Sequence, residues 1–186
     1  MGTLRSMARR VADIGYVSRE DYLAAERVAP TKSEWVDGVV YAMAGSSKRH
    51  VAAVSRMMEF LAGAARQKGC LIGASDLLVE TANANYYPDV VVSCRPSDDP
   101  YVEHHPCFIG EVLSPSTNRV DRAEKRDAYL AIESMETYWI VDAEHHIVEA
   151  WERSDDRGHG RQRPASDPLP AARLGVTVRV IDIVGT

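Results

Sequence analysis

The sequence predicts one mixed α/β (α+β) domain, and three observations predict it. Helical patterns and short β-rich runs alternate along the chain, which calls for a central sheet flanked by helices. Two of the β-rich runs, 90–94 and 108–113, are apolar almost throughout, as strands covered on both faces are. The 186 residues, 45% hydrophobic and 26% charged, fit one ordinary core better than two.

The elements follow in order. Residues 1–17 carry basic side chains with no apolar stretch behind them, so they are expected as a flexible leader, not a secretory signal. The remainder, 18–186, is expected as a single domain. A helix is predicted over 18–28, with Ser18 as its cap and Glu20 and Asp21 in the first turn, where the helix dipole favours acids. Asp37-Gly38 between two β-rich pieces predicts a hairpin over 35–43. The stretch Gly45-Ser46-Ser47 is placed to cap the strongest helix, 51–67, whose inner face is read as Val51, Val54, Met58 and Leu61, widened by Met57, Ala64 and Ala65. Gly69 stops it. Strands are expected over 71–80, 90–94 and 108–113, with a polar surface loop over 96–106.

A second helix is predicted over 119–133, with Ala123, Ala128, Tyr129 and Ile132 inside. A hairpin over 137–141 and 147–151 follows, turning at Glu144-His145-His146. The Arg-, Asp-, Pro- and Gly-rich stretch 154–170 reads as a mobile loop, and 174–184 as a closing strand pair or edge.

Composition removes several function classes. The formal charge is −5 and the pI about 5.7, so the chain as a whole does not coat nucleic acid through phosphate neutralisation. A nuclease touching DNA through a local patch and a metal ion stays allowed. No apolar run approaches the roughly 20 residues a membrane helix needs, so no membrane partner is expected. Cys70, Cys94 and Cys107 are odd in number and lack CxxC spacing. They point to the reducing cytoplasm and away from zinc or a disulfide framework.

The chemistry is expected near the strand ends. Asp89 opens one buried run, and Glu111 sits late in another. An ionised carboxylate in such surroundings is costly unless it is paired or binds a metal. Two acids from neighbouring strands would repel each other, and a divalent cation with oxygen ligands relieves that. The plainer alternative is that Asp89 caps a turn and Glu111 pairs with an arginine. Lys125, in the helix after Glu111, is placed to lean back over the strand ends, or to be an ordinary solvated lysine. Arg119, Arg122 and Arg126 surround it and are candidates for holding phosphate oxygens, or for helix-surface ion pairs. The adjacent pairs His104-His105 and His145-His146 lack the spacing of a helical zinc site and read as solvated.

A longer series of motifs goes further. Glu34-Trp35-Val36-Asp37-Gly38-Val39-Val40-Tyr41-Ala42-Met43 is followed by His50, then by Pro88-Asp89-Val90-Val91-Val92. Glu111-Val112-Leu113-Ser114-Pro115-Ser116-Thr117 leads to Asp121, Lys125 and Tyr129, and Glu136-Thr137-Tyr138-Trp139-Ile140-Val141-Asp142 closes the series. From about residue 18 to 151 the chain resembles the Uma family, within the PD-(D/E)XK restriction-endonuclease-like superfamily. The resemblance implies a restriction-endonuclease-like mixed sheet flanked by helices. It implies that Asp89 and Glu111, with the backbone carbonyl of Val112, hold Mg²⁺ or Mn²⁺. It implies that Lys125 supplies the motif's basic group from the helix, since the strand position two residues after Glu111 is Leu113.

Glu34 matches the family's early acid, either as a further ligand or as an ordinary hairpin carboxylate. His50, at a helix start, is a candidate phosphate contact or a structural residue. Asp76 either points toward the same cleft or serves a turn, and Asp121 is placed to orient Lys125. The expected activity is hydrolysis of DNA phosphodiester bonds by a metal-activated water, in a homodimer. The apolar strand Tyr138-Trp139-Ile140 offers the dimer some support. The alternatives are an inactive nuclease-fold binding or regulatory protein, and an enzyme acting on RNA or a small phosphodiester.

Overall fold

The computed structural model describes residues 15–114, 121–153, 159–163 and 167–185. Its centre is a mixed six-stranded sheet of order β11-β10-β9-β8-β6-β3. The strands are β3 (Leu71–Gly73), β6 (Val90–Ser93), β8 (Phe108–Val112), β9 (Thr137–Asp142), β10 (Ile147–Glu152) and β11 (His159–Arg163). Only β8 and β9 run parallel; the other neighbours are antiparallel.

Alternation along β8 decides what each face of this sheet meets. Phe108 and Val112 point toward the long helix α2 (Lys48–Gln67), in a core with Met57, Leu61, Val90, Val92, Trp139 and Val141. Ile109 and Glu111 lie on the other side. There Val91, Tyr138 and Ile140 pack with Tyr129 and with Val79, Ala84 and Tyr86 of a second sheet. That second sheet has the order β2-β1-β5-β4-β7: β1 (Ser33–Val36), β2 (Val39–Ala42), β4 (Leu78–Glu80), β5 (Ala84–Tyr86) and β7 (Val102–Glu103). Its outer face carries Trp35, Leu78 and Val102 and is covered by Tyr22 of α1 (Arg19–Glu26).

Local chemistry explains the elements. Ser18 caps α1, its hydroxyl accepting the Asp21 N–H at 3.1 Å. Asp37 (φ 47°) and Gly38 (φ 89°) make the left-handed turn of the β1–β2 hairpin. Ser47 caps α2 through the His50 N–H, and Gly69 ends that region at φ 68°. Residues 15–17 of the expected leader include an anchor: the Val17 N–H donates to Gly38 O, and the Trp35 indole donates to Val17 O.

The inner face of α2 is the expected one except that Ala53 stands where Val51 was read. The buried stripe is Ala53, Met57, Leu61 and Ala65, while Val51 is 53% exposed. Val54, Met58 and Ala64 pack partly buried beside that stripe. Gly110 completes the fit: a Cβ there would stand 3.0 Å from Met57 Sδ. Met57→Ala is expected to lower stability by about 2–5 kcal/mol in urea unfolding, because it empties this contact.

Several other expectations are corrected. The strand predicted over 71–80 is two strands in different sheets, β3 and β4, separated at Ser75 (φ 57°). Asp76 lies in that crossover, exposed, and pairs with Lys32 at 2.6 Å, so it serves the turn. The loop over 96–106 contains the buried strand β7. Within 154–170, expected as loop, lie β11 and the start of the hairpin β12 (Pro168–Ala171) and β13 (Val176–Arg179). The last part of 174–184 is a short helix, α4 (Val180–Val184), because Val180, Ile183 and Val184 have helical spacing and Asp182 caps back to the Arg179 N–H.

Cys70 and Cys94 form a disulfide, against the expectation of none. The register explains it: Leu71 pairs with Ser93, so the next step sets Cys70 opposite Cys94. Cysteine usage therefore no longer argues for a reducing compartment. Cys107 is free and buried, and burial pushes its thiol up. Tyr138 and Trp139 are both fully buried within the chain, on opposite faces, which withdraws their support for a dimer contact. No helix among the described residues is long and apolar enough to cross a membrane.

Candidate active site

Strand register brings the two predicted acids together. Val90 pairs with Gly110 in the antiparallel β6–β8 ladder, so the next step sets Asp89 beside Glu111. Asp89 Oδ2 accepts the Val112 N–H at 2.7 Å, which ties the acid to the strand end that carries its partner. His50, from the first turn of α2, places Nε2 3.0 Å from Asp89 Oδ1. This histidine thus reaches the site through the acid, a contact its sequence position did not reveal.

Glu111 is buried, in a strand buried along its whole length. A carboxylate there needs donors. They come from a single helical face: Lys125 Nζ at 3.2 Å and the Tyr129 hydroxyl at 3.1 Å, both on Oε1. The two donors are four residues apart, the spacing of neighbours on one face. The predicted 119–133 helix is, among its described residues, a π-helical turn (Asp121–Lys125) running into α3 (Arg126–Leu130). The wider turn goes with a rotated face: Lys125 is 4% exposed, and Ala123, expected inside, is exposed.

The lysine is not the solvated one of the plainer reading. Its ammonium also donates to Glu34 Oε1 at 3.0 Å and lies 5.1 Å from the centre of the Tyr86 ring. Glu34, from β1, is held in turn by the Tyr87 N–H at 3.2 Å. The early acid of the sequence motif thus reaches the cluster through the lysine. Tyr86 and the hydroxyl of Tyr129 are the participants sequence reading missed. The available signal for Tyr129 was its four-residue spacing from Lys125; Tyr86 had none, because it arrives from the other sheet.

The cations read as phosphate contacts fare differently. Arg119 lies outside the described residues, and only the backbone of Arg122 is described. Arg126 pairs with Asp127 at 2.6 Å and stacks over Trp151 at 4.8 Å. The side chain of Asp121 is also outside the described set. His104 lies near Glu80, and exposed His145 pairs with Asp142 at 2.9 Å, away from any metal-ligating cluster. No group of three or more His, Cys, Asp or Glu side chains among the described residues is arranged to hold a metal ion.

Two carboxylates suffice for magnesium, which keeps waters for its remaining positions. Charge supports the fit. Glu34 and Glu111 both accept from the Lys125 ammonium, and Asp89 adds a third carboxylate beside Glu111, so among the described residues acids outnumber the lysine here. A divalent cation balances that excess, and oxygen donors are the kind Mg²⁺ and Mn²⁺ take.

A mixed sheet with an acid pair at adjacent strand ends, and a lysine bonded to one of them, has the restriction-endonuclease-like form. A solved structure of "a putative nuclease belonging to DUF820" from Anabaena variabilis shares the fold. Its TM-score is 0.74 at 12% identity, covering 90% of this chain and 97% of that one. The chain belongs to the Uma2 family, described as "Putative restriction endonuclease", whose model matches residues 19–178. Two Synechocystis relatives are uncharacterized: slr1290, 34% identical over 75% of this chain and 76% of its own length, and sll1609, 27% identical over 79% and 86%.

Proposed function

We propose that the chain is a metal-dependent endodeoxyribonuclease that hydrolyses DNA phosphodiester bonds with an activated water. The support is one observation: Asp89 and Glu111 stand opposite each other on neighbouring strands, and Lys125 rests on Glu111. Asp89, Glu111 and the Val112 carbonyl would hold Mg²⁺ or Mn²⁺. When bound, such an ion polarises a phosphoryl oxygen and makes water a better nucleophile at neutral pH.

The chain's own groups do the rest. Asp89 is kept in place by the Val112 N–H and by His50. Glu34 and Tyr86 hold the Lys125 ammonium beside Glu111, where it orients the attacking water and offsets charge developing on the phosphate oxygens. The superfamily resemblance implies that water attacks phosphorus and the P–O3′ bond breaks, which leaves a 5′-phosphate on one product and a 3′-hydroxyl on the other. Duplex DNA, single-stranded DNA and RNA, offered in competition with Mg²⁺, Mn²⁺ or EDTA, test the substrate class. Cation-dependent cutting of DNA over RNA is the expected outcome, and preferred cutting of RNA overturns it.

One observation favours a second reading. Lys125 is already bonded to both Glu34 and Glu111, an internal ion cluster that an inactive binding protein of this fold would keep for stability. Mn²⁺ binding separates the two, since an inactive relative has no need of the ion. The nuclease reading further places the protein in the cytoplasm as a homodimer, two sites across a two-fold axis suiting both strands of a duplex. A monomer by light scattering contradicts the dimer.

A further inference from the structure

We propose that Tyr129 is a positioning residue for Glu111, fixing the carboxylate in the orientation that receives the divalent cation; this rests on the nuclease reading. Two donors share Oε1 of Glu111, and they differ in freedom. Lys125 stands on a flexible four-carbon stem and divides its ammonium between Glu34 at 3.0 Å and Glu111 at 3.2 Å. When a cation and a phosphate arrive, the lysine has other oxygens to turn to.

Tyr129 has no such choice. Its side chain is completely buried. Its ring is gripped edge-on by Tyr86, with centroids 5.6 Å apart, and tilted against Tyr138 at 5.5 Å. The phenol is rigid, with two side-chain torsions locked by packing, and its hydroxyl stays 3.1 Å from Glu111 Oε1. A phenol hydroxyl donates its one proton, and here the carboxylate oxygen of Glu111 receives it. The hydroxyl therefore holds one oxygen of Glu111 whichever way Lys125 moves. Hydrogen bonds that orient a metal ligand typically carry ~10–100-fold in affinity or activity.

The test is Tyr129→Phe, which keeps the ring packing and removes only the hydroxyl. Mn²⁺ binding to the whole protein is measured by titration calorimetry and by the cation-induced rise in melting temperature, the second readout also reporting the fold. Cleavage is then followed across cation concentration. The expected result is Mn²⁺ binding weakened about 10–100-fold, with cleavage recovering toward the wild-type rate at saturating cation. Wild-type Mn²⁺ affinity in Tyr129→Phe, with binding lost in Glu111→Gln, overturns the proposal and leaves the nuclease reading intact. A folded wild-type protein that binds no Mn²⁺ overturns the nuclease reading, and the proposal with it. A Tyr129→Phe chain that melts without a cooperative transition assigns the hydroxyl to stability and also overturns the proposal.

Discussion

Glu111→Gln is expected to cut DNA cleavage by more than ~10²-fold, the scale at which loss of one preorganised charge-stabilising group is felt. The substitution keeps the shape of the side chain, and its carbonyl still accepts from Tyr129 and Lys125. What it removes is the negative charge. Of the three carboxylates at the cluster, Glu111 is the most buried, within a wholly buried strand. Without it the cluster loses one negative charge, and the attraction for a divalent cation falls with it. The fold loses less: a charged hydrogen bond becomes a neutral one, a cost of about 1–3 kcal/mol, read by thermal unfolding. Near-wild-type cleavage by this variant contradicts the assignment of the site.

Lys125→Met is expected to lose cleavage by a similar ~10²-fold or more, but to keep its cation. Methionine fills nearly the same volume without the ammonium. Glu34 and Glu111 then face each other with no positive charge between them. Removing one partner of a buried ion pair costs about 3–5 kcal/mol, so the variant melts well below the wild type in EDTA. A divalent cation relieves the repulsion, so Mg²⁺ or Mn²⁺ raises the melting temperature of this variant more than that of the wild type. Glu111→Gln loses the ion and the activity together, whereas Lys125→Met separates them. Equal melting temperatures for wild type and Lys125→Met in EDTA contradict the buried cluster.

The parts of the fold that were readable are those fixed by local chemistry. Ser18 and Ser47 cap helices, Asp37-Gly38 turns a hairpin, and the apolar runs at 90–94 and 108–113 lie in the central sheet. What failed depends on which surface an element meets. On α2 only Val51 was misplaced, because the first turn runs past the edge of the core, while the remainder of the predicted face meets it. The 71–80 run divided because both halves are strand-forming but join different sheets. The Cys70–Cys94 bond follows from antiparallel register across 24 residues.

The site divides in the same way. Asp89, Glu111 and Lys125 were identifiable because acids in apolar runs, and a motif string with a spaced lysine, are features of the sequence itself. Their mutual geometry, and the roles of Glu34, Tyr86 and His50 as groups that hold them, required two sheets and two helices to meet.

The central claim is that Asp89 and Glu111 hold a cation that makes this chain a nuclease. Nicking of a supercoiled plasmid in Mg²⁺, Mn²⁺ or EDTA, with Asp89→Ala alongside, tests it most directly. The expected result is cation-dependent nicking by the wild type, none in EDTA, and a loss of more than ~10²-fold in Asp89→Ala. Equal nicking by both proteins, or no nicking by folded wild type with either cation, contradicts it.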